Sequence, residues 1–216
     1  MSIHKNYAVF GLGRYGRAVA AALAQGGAEV LGVDHNVSIV NEAVDEIPVC
    51  KCADVTDPEV LAQLGIANID TVVVAMASNL EASVLAVTLC KEAGVPRVIV
   101  KCGTEMHRKI LERVGADQVI IPEKESGIRL AKNLLSAGFS EMMELSGEVS
   151  MAELEVRPDW VGKNLVELSL RRKHAINVVA LRVGEKIRVE IDPQAPLTAD
   201  TKLIVIANPA NLQKLR

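Results

Sequence analysis

From residue 7 to about 122 the chain alternates short apolar runs with stretches of helical periodicity. The runs are "YAVF" (7–10), "EVLGVD" (29–34), "PVCKC" (48–52), "TVVVAM" (71–76), "RVIVKC" (97–102) and "QVIIP" (118–122). Runs this apolar suit parallel strands covered on both faces. The stretches between them carry helix punctuation. Gly26-Gly27 stops the first, Pro58 stands in an opening turn behind Thr56-Asp57, and Gly65, Gly94 and Gly115 close later ones. Strand and helix in alternation with short links imply right-handed crossovers and a doubly wound α/β sheet of Rossmann type.

Beyond the sixth run the texture changes. A helical pattern covers roughly Lys124 to Ala137, and "GFSEMMELSGEVS" (138–150) then shows two glycines and little periodicity, which reads as a linker. "MAELEV", "NVVALRV", "KIRVEI" and "KLIVIA" follow as strands without long helices between them, the middle two joined by a hairpin turn at Gly184-Glu185. The expected plan is a parallel-sheet domain over 1–137 including its crossover helix, a linker over 138–147, and a small α+β domain over 148–216. A domain that small buries little core, so pairing with a second copy is expected to stabilise it.

Bulk composition removes some functions. A formal net charge of −3 gives no basic field for nucleic acid, and 2% aromatic residues leave too few rings to stack bases. Glycines and Arg14 interrupt the first apolar stretch, so it does not read as a signal peptide. "TVVVAMA" (71–77) is far shorter than the roughly 20 residues a membrane-spanning helix needs. Cys50, Cys52, Cys90 and Cys102 include one C-x-C pair without a second close pair. That favours reduced packing thiols in a cytosolic protein over a zinc site.

The first run leads into "GLGRYG", where Gly11, Gly13 and Gly16 form G-x-G-x-x-G between a strand and a helix. Asp34 ends the second strand, about twenty residues on, the separation at which an acid reaches a ribose hydroxyl. Gly11 allows the tight turn, Gly13 lets the backbone approach phosphate, and Gly16 lets helix and strand close up. The helix N-terminus adds amide donors and positive potential. A basic residue, Arg14, directly follows the second glycine.

Other positions carry two readings each. Asp54 in "CADVTD" is either the rim of an adenine pocket or a turn former before the capped helix at Pro58. Met76 to Asn79, "MASN", gives small residues at a strand's carboxyl edge, while Asn79 also suits a helix cap. Lys101 ends an apolar strand and either snorkels to solvent or meets an anion, a phosphate by preference. His107 either reaches the crevice or decorates the surface. Glu123 in "IIPEKESG" either helps hold a divalent cation between itself and phosphates or complements a helix dipole. Hydride transfer needs a substrate site with an acid–base group near the nicotinamide. The remaining seventy or so residues carry one histidine, His174, beside "RRKH", and no nucleophile–base pair, which weakens an oxidoreductase reading.

"AVFGLGRYGRAVA", "VLGVD", "MASNLEASVLAVTLCKEAG", "VIVKC", "ILERVGADQVIIPEKESGIRLA" and "LSLRRKHAINVVAL…DPQAPLTADTKLIVIA" together resemble the RCK family, the regulators of potassium conductance, in its KtrA/TrkA-like form. The resemblance runs through the whole chain in order. It implies a Rossmann RCK-N domain followed by an RCK-C (TrkA-C) domain. It also implies a cytosolic, non-enzymatic gating subunit that binds ATP or ADP, with NAD(H) as the alternative ligand.

By the same resemblance Arg14 faces the terminal phosphate of a neighbouring subunit's nucleotide. Asp34, with His35 and Asn36, holds the ribose, Asp54 and Val55 flank the adenine, and Met76, Ala77 and Ser78 line the pocket. Lys101, Cys102, Gly103 and His107 surround the phosphates, and Glu123 helps hold Mg2+ or Ca2+ between paired nucleotides. Arg171, Ile176, Asn177 and Pro193 correspond to a cyclic di-AMP site, with Ala175 where many relatives have glycine. Homodimers are implied to assemble into a ring, an octamer, on a membrane potassium channel or transporter at the cytoplasmic face.

Overall fold

Six parallel strands form the first sheet: β1 (Asn6–Phe10), β2 (Glu29–Asp34), β3 (Val49–Cys52), β4 (Thr71–Val74), β5 (Arg97–Lys101) and β6 (Gln118–Ile120). Their spatial order is β3-β2-β1-β4-β5-β6. The structure is a computed structural model and describes residues 5–135, 139–146 and 148–214. Alternate side chains of β1 and β4 divide between two cores. Ala8, Phe10, Val72 and Val74 join one cluster, Val9 and Val73 the other, so both faces are covered and neither strand needs a polar face.

The connecting helices start where the sequence offers a cap. α1 (Arg14–Gln25) is the exception, since Gly13 at its N-cap has no side chain to offer. α2 (Val37–Ala43), α3 (Pro58–Gln63), α4 (Leu80–Glu92) and α5 (Glu105–Val114) are capped by the Asn36, Asp57, Asn79 and Thr104 side chains. Each satisfies an amide that the first helical turn leaves without a partner. α6 (Pro122–Leu135) opens on proline, whose missing N–H is no loss there.

The chain divides into two compact units, Met1–Glu125 and Ser126–Arg216. The second holds an antiparallel sheet of β7 (Phe139–Ser146), β8 (Val149–Glu155), β9 (Asn177–Val183), β10 (Lys186–Arg188) and β11 (Thr201–Ala207), in the order β10-β9-β11-β8-β7. Short helices α7 (Leu165–Leu168), α8 (Leu170–His174) and α9 (Pro209–Gln213) complete it. Trp160, Leu170, Ile176, Leu203 and Val205 are buried in its core.

Two local differences from the sequence pattern stand out. Phe139–Ser146 has little periodicity, yet it pairs with β8 along an edge of the sheet, where only one side must be bonded. "KIRVEI" alternates well, but β10 ends at Arg188 and Ile187 and Val189 stay exposed, so the alternation there marks no buried face. The hairpin at Gly184-Glu185 forms as expected, with Val183 opposite Lys186 and Gly184 at φ 58°.

Candidate functional site

The chain leaves β1 toward β2 and β3 on one side of the sheet, and returns as β4 on the other side. A crevice opens at the carboxyl ends of strands that diverge in this way. The glycine turn fills its floor. Gly11 sits at φ +86°, its N–H donating to the Val33 carbonyl at 2.8 Å. A Cβ on Gly16 would lie 1.9 Å from the Gly11 carbonyl oxygen, so α1 can pack on the turn only with glycine there. Gly13 differs. Its φ is −61°, and a Cβ would meet nothing within 4 Å. The chain itself therefore does not need glycine at 13. What glycine leaves is an open cradle over the uncapped start of α1, which also has no acidic residue in its first turn. Free amides and positive helix potential there suit an anion.

Asp34 is only 6% exposed and both carboxylate oxygens are engaged. One accepts the Leu12 N–H at 2.8 Å and the other the Asn36 N–H at 2.9 Å. The His35 Nδ1 lies 3.4 Å from the same carboxylate. The acid thus braces the glycine turn against β2 while bordering the crevice.

Between these elements lies a cavity of about 500 Å3. Gly11, Gly13, Asp34, His35, Asp54, Val55, Met76 and Ser78 line it, eight of the positions expected from the sequence. Asp54 lines the cavity and also forms the turn that leads to α3. Its carboxylate accepts the Thr56 hydroxyl at 2.7 Å and the Thr56 N–H at 2.9 Å, and these bonds hold its pKa below the usual aspartate range. Asn79 caps α4 through the Ala82 N–H at 3.0 Å and also lines the cavity. Sequence reasoning missed Thr56 and the wall supplied by α4, where Glu81, Ala82 and Leu85 face the cavity. No local pattern marks these positions, because the packing of α4 turns them inward.

Arg14, Gly16, Asn36, Ala77, Lys101, Cys102, Gly103, His107 and Glu123 do not line this cavity. Asn36 spends its side chain on the Ser38 N–H at 2.9 Å, and Cys102 is buried with its thiol donating to the Thr104 carbonyl. The His107 N–H donates to the Thr104 hydroxyl at 3.1 Å, and Gly103 is exposed. Lys101 has an anionic partner, and that partner is Glu123 at 2.7 Å. The Tyr15 ring centroid lies 5.3 Å from the same ammonium. The Lys101 contact, with help from the more distant Arg14, holds the Glu123 carboxyl below the usual range. Burial and then the charges of Glu125 and Glu123 raise the Tyr15 phenol. Arg14, Tyr15, Lys101 and Glu123 therefore form one charged group beside the start of α1. Among the described residues no group of three or more His, Cys, Asp or Glu side chains could hold a metal ion unaided.

Residues 7–122 match the TrkA-N domain, and residues 151–216 match the TrkA-C domain. The chain belongs to the TrkA family defined by these two domains. It is 34% identical over 210 residues to Ktr system potassium uptake protein C of Bacillus subtilis, covering 97% of this chain and 95% of that one. It is also 34% identical to Ktr system potassium uptake protein A of Vibrio alginolyticus, covering 94% and 92% of the two chains. Among solved structures, a GsuK channel superposes with TM-score 0.65 at 17% identity, over 99% of this chain and 39% of the channel chain. A GsuK channel bound to NAD superposes with TM-score 0.64 at 16% identity, over 98% and 38%. These two show the shared fold.

In the TrkA-C domain, Arg171 and Asn177 are exposed beside the end of α8. Pro193 is exposed too, its carbonyl accepting the Val166 N–H at 3.3 Å. Ile176 is fully buried in the core, so it is not an exposed wall of the single chain. Ala175 takes φ 55°, the left-handed region that favours glycine.

Proposed function

We propose that the protein is the nucleotide-binding gating subunit of a potassium channel or transporter, with ATP or ADP in the cavity over the glycine turn. One observation carries this reading. An open, uncapped helix start at Gly13 and a buried acid bracing the glycine turn line one cavity in a chain whose relatives, matched over both domains, are named for potassium uptake. It is a regulator rather than an enzyme, in keeping with those relatives.

In this reading Asp34 and His35 meet the ribose, and Asp54, Val55 and Thr56 border the adenine. The α1 amides and Gly13 meet the first phosphates. Arg14, exposed and outside its own chain's cavity, serves the terminal phosphate of a nucleotide on a second copy. Two chains pair, and the pairs assemble as a ring on the cytoplasmic face of the membrane partner, an octamer in the simplest form. No helix among the described residues is long and apolar enough to cross a membrane. In this reading the ion path belongs to the membrane partner. A divalent cation, Mg2+ or Ca2+, fits only as a bridge from Glu123 to nucleotide phosphates, because hard cations need more oxygens than one carboxylate supplies. Asp34 would suit the ribose of NAD(H) equally, which keeps NADH as the competing ligand. Binding changes gating only through different affinities for two ring shapes.

The test is potassium uptake in a deficient bacterial host expressing a Ktr-type membrane subunit. Growth at low potassium is expected to require the chain, and Gly13→Trp, which fills the cradle, is expected to remove the benefit. Growth indifferent to the chain would contradict the proposal.

A further inference from the structure

We propose that the open edge of β3, with a second cavity beneath it, is a docking site for an extended segment of a partner protein. That segment carries an acidic, an aliphatic and a basic residue at alternate positions. The site lies at the other end of the first sheet from the nucleotide cavity and goes beyond the nucleotide reading.

β3 is the outermost strand and pairs with β2 alone, so its other side has no strand partner among the described residues. An edge of this kind accepts a further strand. A cavity of about 350 Å3 opens at the amino ends of β1 to β3. Leu31, Leu64 and Ile69, half-buried against the main core, form its floor. Val49 stands opposite Leu31 in the register, lines the same cavity and is 48% exposed. α3 has only six residues and ends at Gln63 on the border of the cavity, which leaves this floor uncovered. No residue lines both this cavity and the nucleotide cavity, so the two can be filled at once.

Two charges choose the occupant. Glu29 precedes Leu31 by two residues and Lys51 follows Val49 by two, so both lie on the cavity's face of the sheet. Both are exposed, and neither makes a hydrogen bond or ion pair with a described residue. Four residues of register separate them, about 13 Å along the strands, which is the spacing of residues i and i+4 in an extended chain. A lysine on so short an edge discourages indiscriminate pairing, and an acidic residue opposite it removes that penalty. An antiparallel segment of the form Glu-x-Leu-x-Lys sets its acid beside Lys51, its leucine over the apolar floor and its lysine toward Glu29. The floor fixes the register, because a slip of one residue turns the leucine to the other face.

The test is fluorescence anisotropy of a labelled synthetic peptide, acetyl-TTETLTKTT-amide, titrated with the intact chain. Saturable binding is expected. Replacing the peptide's glutamate by lysine should weaken it about fivefold on wild type, and Lys51→Glu, an exposed position, should restore it. The same peptide methylated on alternate backbone nitrogens keeps its side chains and loses its strand hydrogen bonds, and it is expected not to bind. Binding that survives methylation would make the cavity a pocket for a small apolar ligand. An assembly that loses copies in Lys51→Glu, read by sedimentation, would give the edge to a second copy of the chain. Absence of saturable binding, or binding indifferent to the charge exchange, would leave β3 a guarded edge. Each of these three results overturns the proposal.

Discussion

The Asp34 carboxylate accepts the Leu12 amide at 2.8 Å, tying the end of β2 to the middle of the glycine turn. The acid that lines the cavity is therefore also a strut. Asp34→Ala removes the acceptor for two backbone amides: the buried Leu12 N–H, which costs about 1–3 kcal/mol when left unpaired, and the part-buried Asn36 N–H, which water can take up. Stability in urea and nucleotide affinity are both expected to fall. Asp34→Asn keeps one acceptor oxygen and should recover part of the stability. An Ala variant as stable as wild type would show that the strut carries no weight.

Gly13 and Gly16 should separate function from folding. At Gly16 a methyl group would collide with the Gly11 carbonyl, so Gly16→Ala is expected to destabilise the first unit severely. At Gly13 a methyl group meets only open space at an ordinary φ. Gly13→Ala is expected to keep the melting temperature within a few degrees while lowering nucleotide affinity about tenfold or more. A melting curve and a titration on each variant check both halves.

Much of the first unit was legible because its strands are apolar on both faces and its helices carry caps and glycine stops at the turns. Gly11, Gly13 and Asp34 stood out through the spacing of the glycine motif and the acid about twenty residues on, although only Gly11, at φ +86°, needs its residue type for the backbone alone. The α4 wall did not. Glu81 and Ala82 look like an ordinary first helical turn, and only tertiary packing turns them toward the cavity. Nor does spacing reveal that Lys101 takes Glu123 as its partner, twenty-two residues along the chain. β7 escaped because an edge strand tolerates a pattern that a central strand does not.

The thiols should react in order of exposure. Burial disfavours the thiolate and pushes Cys90 up to about 12, so almost none is ionised at pH 8. Cys52 is exposed, its thiol 3.4 Å from the His35 carbonyl at the edge of the cavity. Iodoacetamide is expected to label Cys52 first and Cys90 only after unfolding, and bound ATP should slow labelling at Cys52. Peptide mapping by mass spectrometry reads this directly.

Ala175 holds φ 55° at the end of α8, where a side chain costs roughly 1 kcal/mol or more. Ala175→Gly relieves this and returns some of the gain as entropy of the unfolded chain, leaving about 0.5–1 kcal/mol of stabilisation. The single tryptophan, Trp160, is buried in the same unit and reports its unfolding by fluorescence. A lower urea midpoint for the glycine variant would mean that this backbone position is not strained.

Arg14 stands exposed at the first position of α1 and outside its own cavity. If it serves the terminal phosphate on a second copy, Arg14→Ala should weaken ATP by about tenfold and leave ADP within a few-fold. Equal losses for both nucleotides would leave it a solvated surface residue.

The most direct measurement is calorimetric titration of the intact, nucleotide-stripped wild-type protein with ATP, ADP and NADH in parallel, beside Gly13→Ala. Saturable binding of ATP and ADP in wild type, weakened when the cradle is filled, is the expected result. Absence of binding for all three ligands, or binding indifferent to Gly13, would contradict a nucleotide-sensing subunit built on this turn.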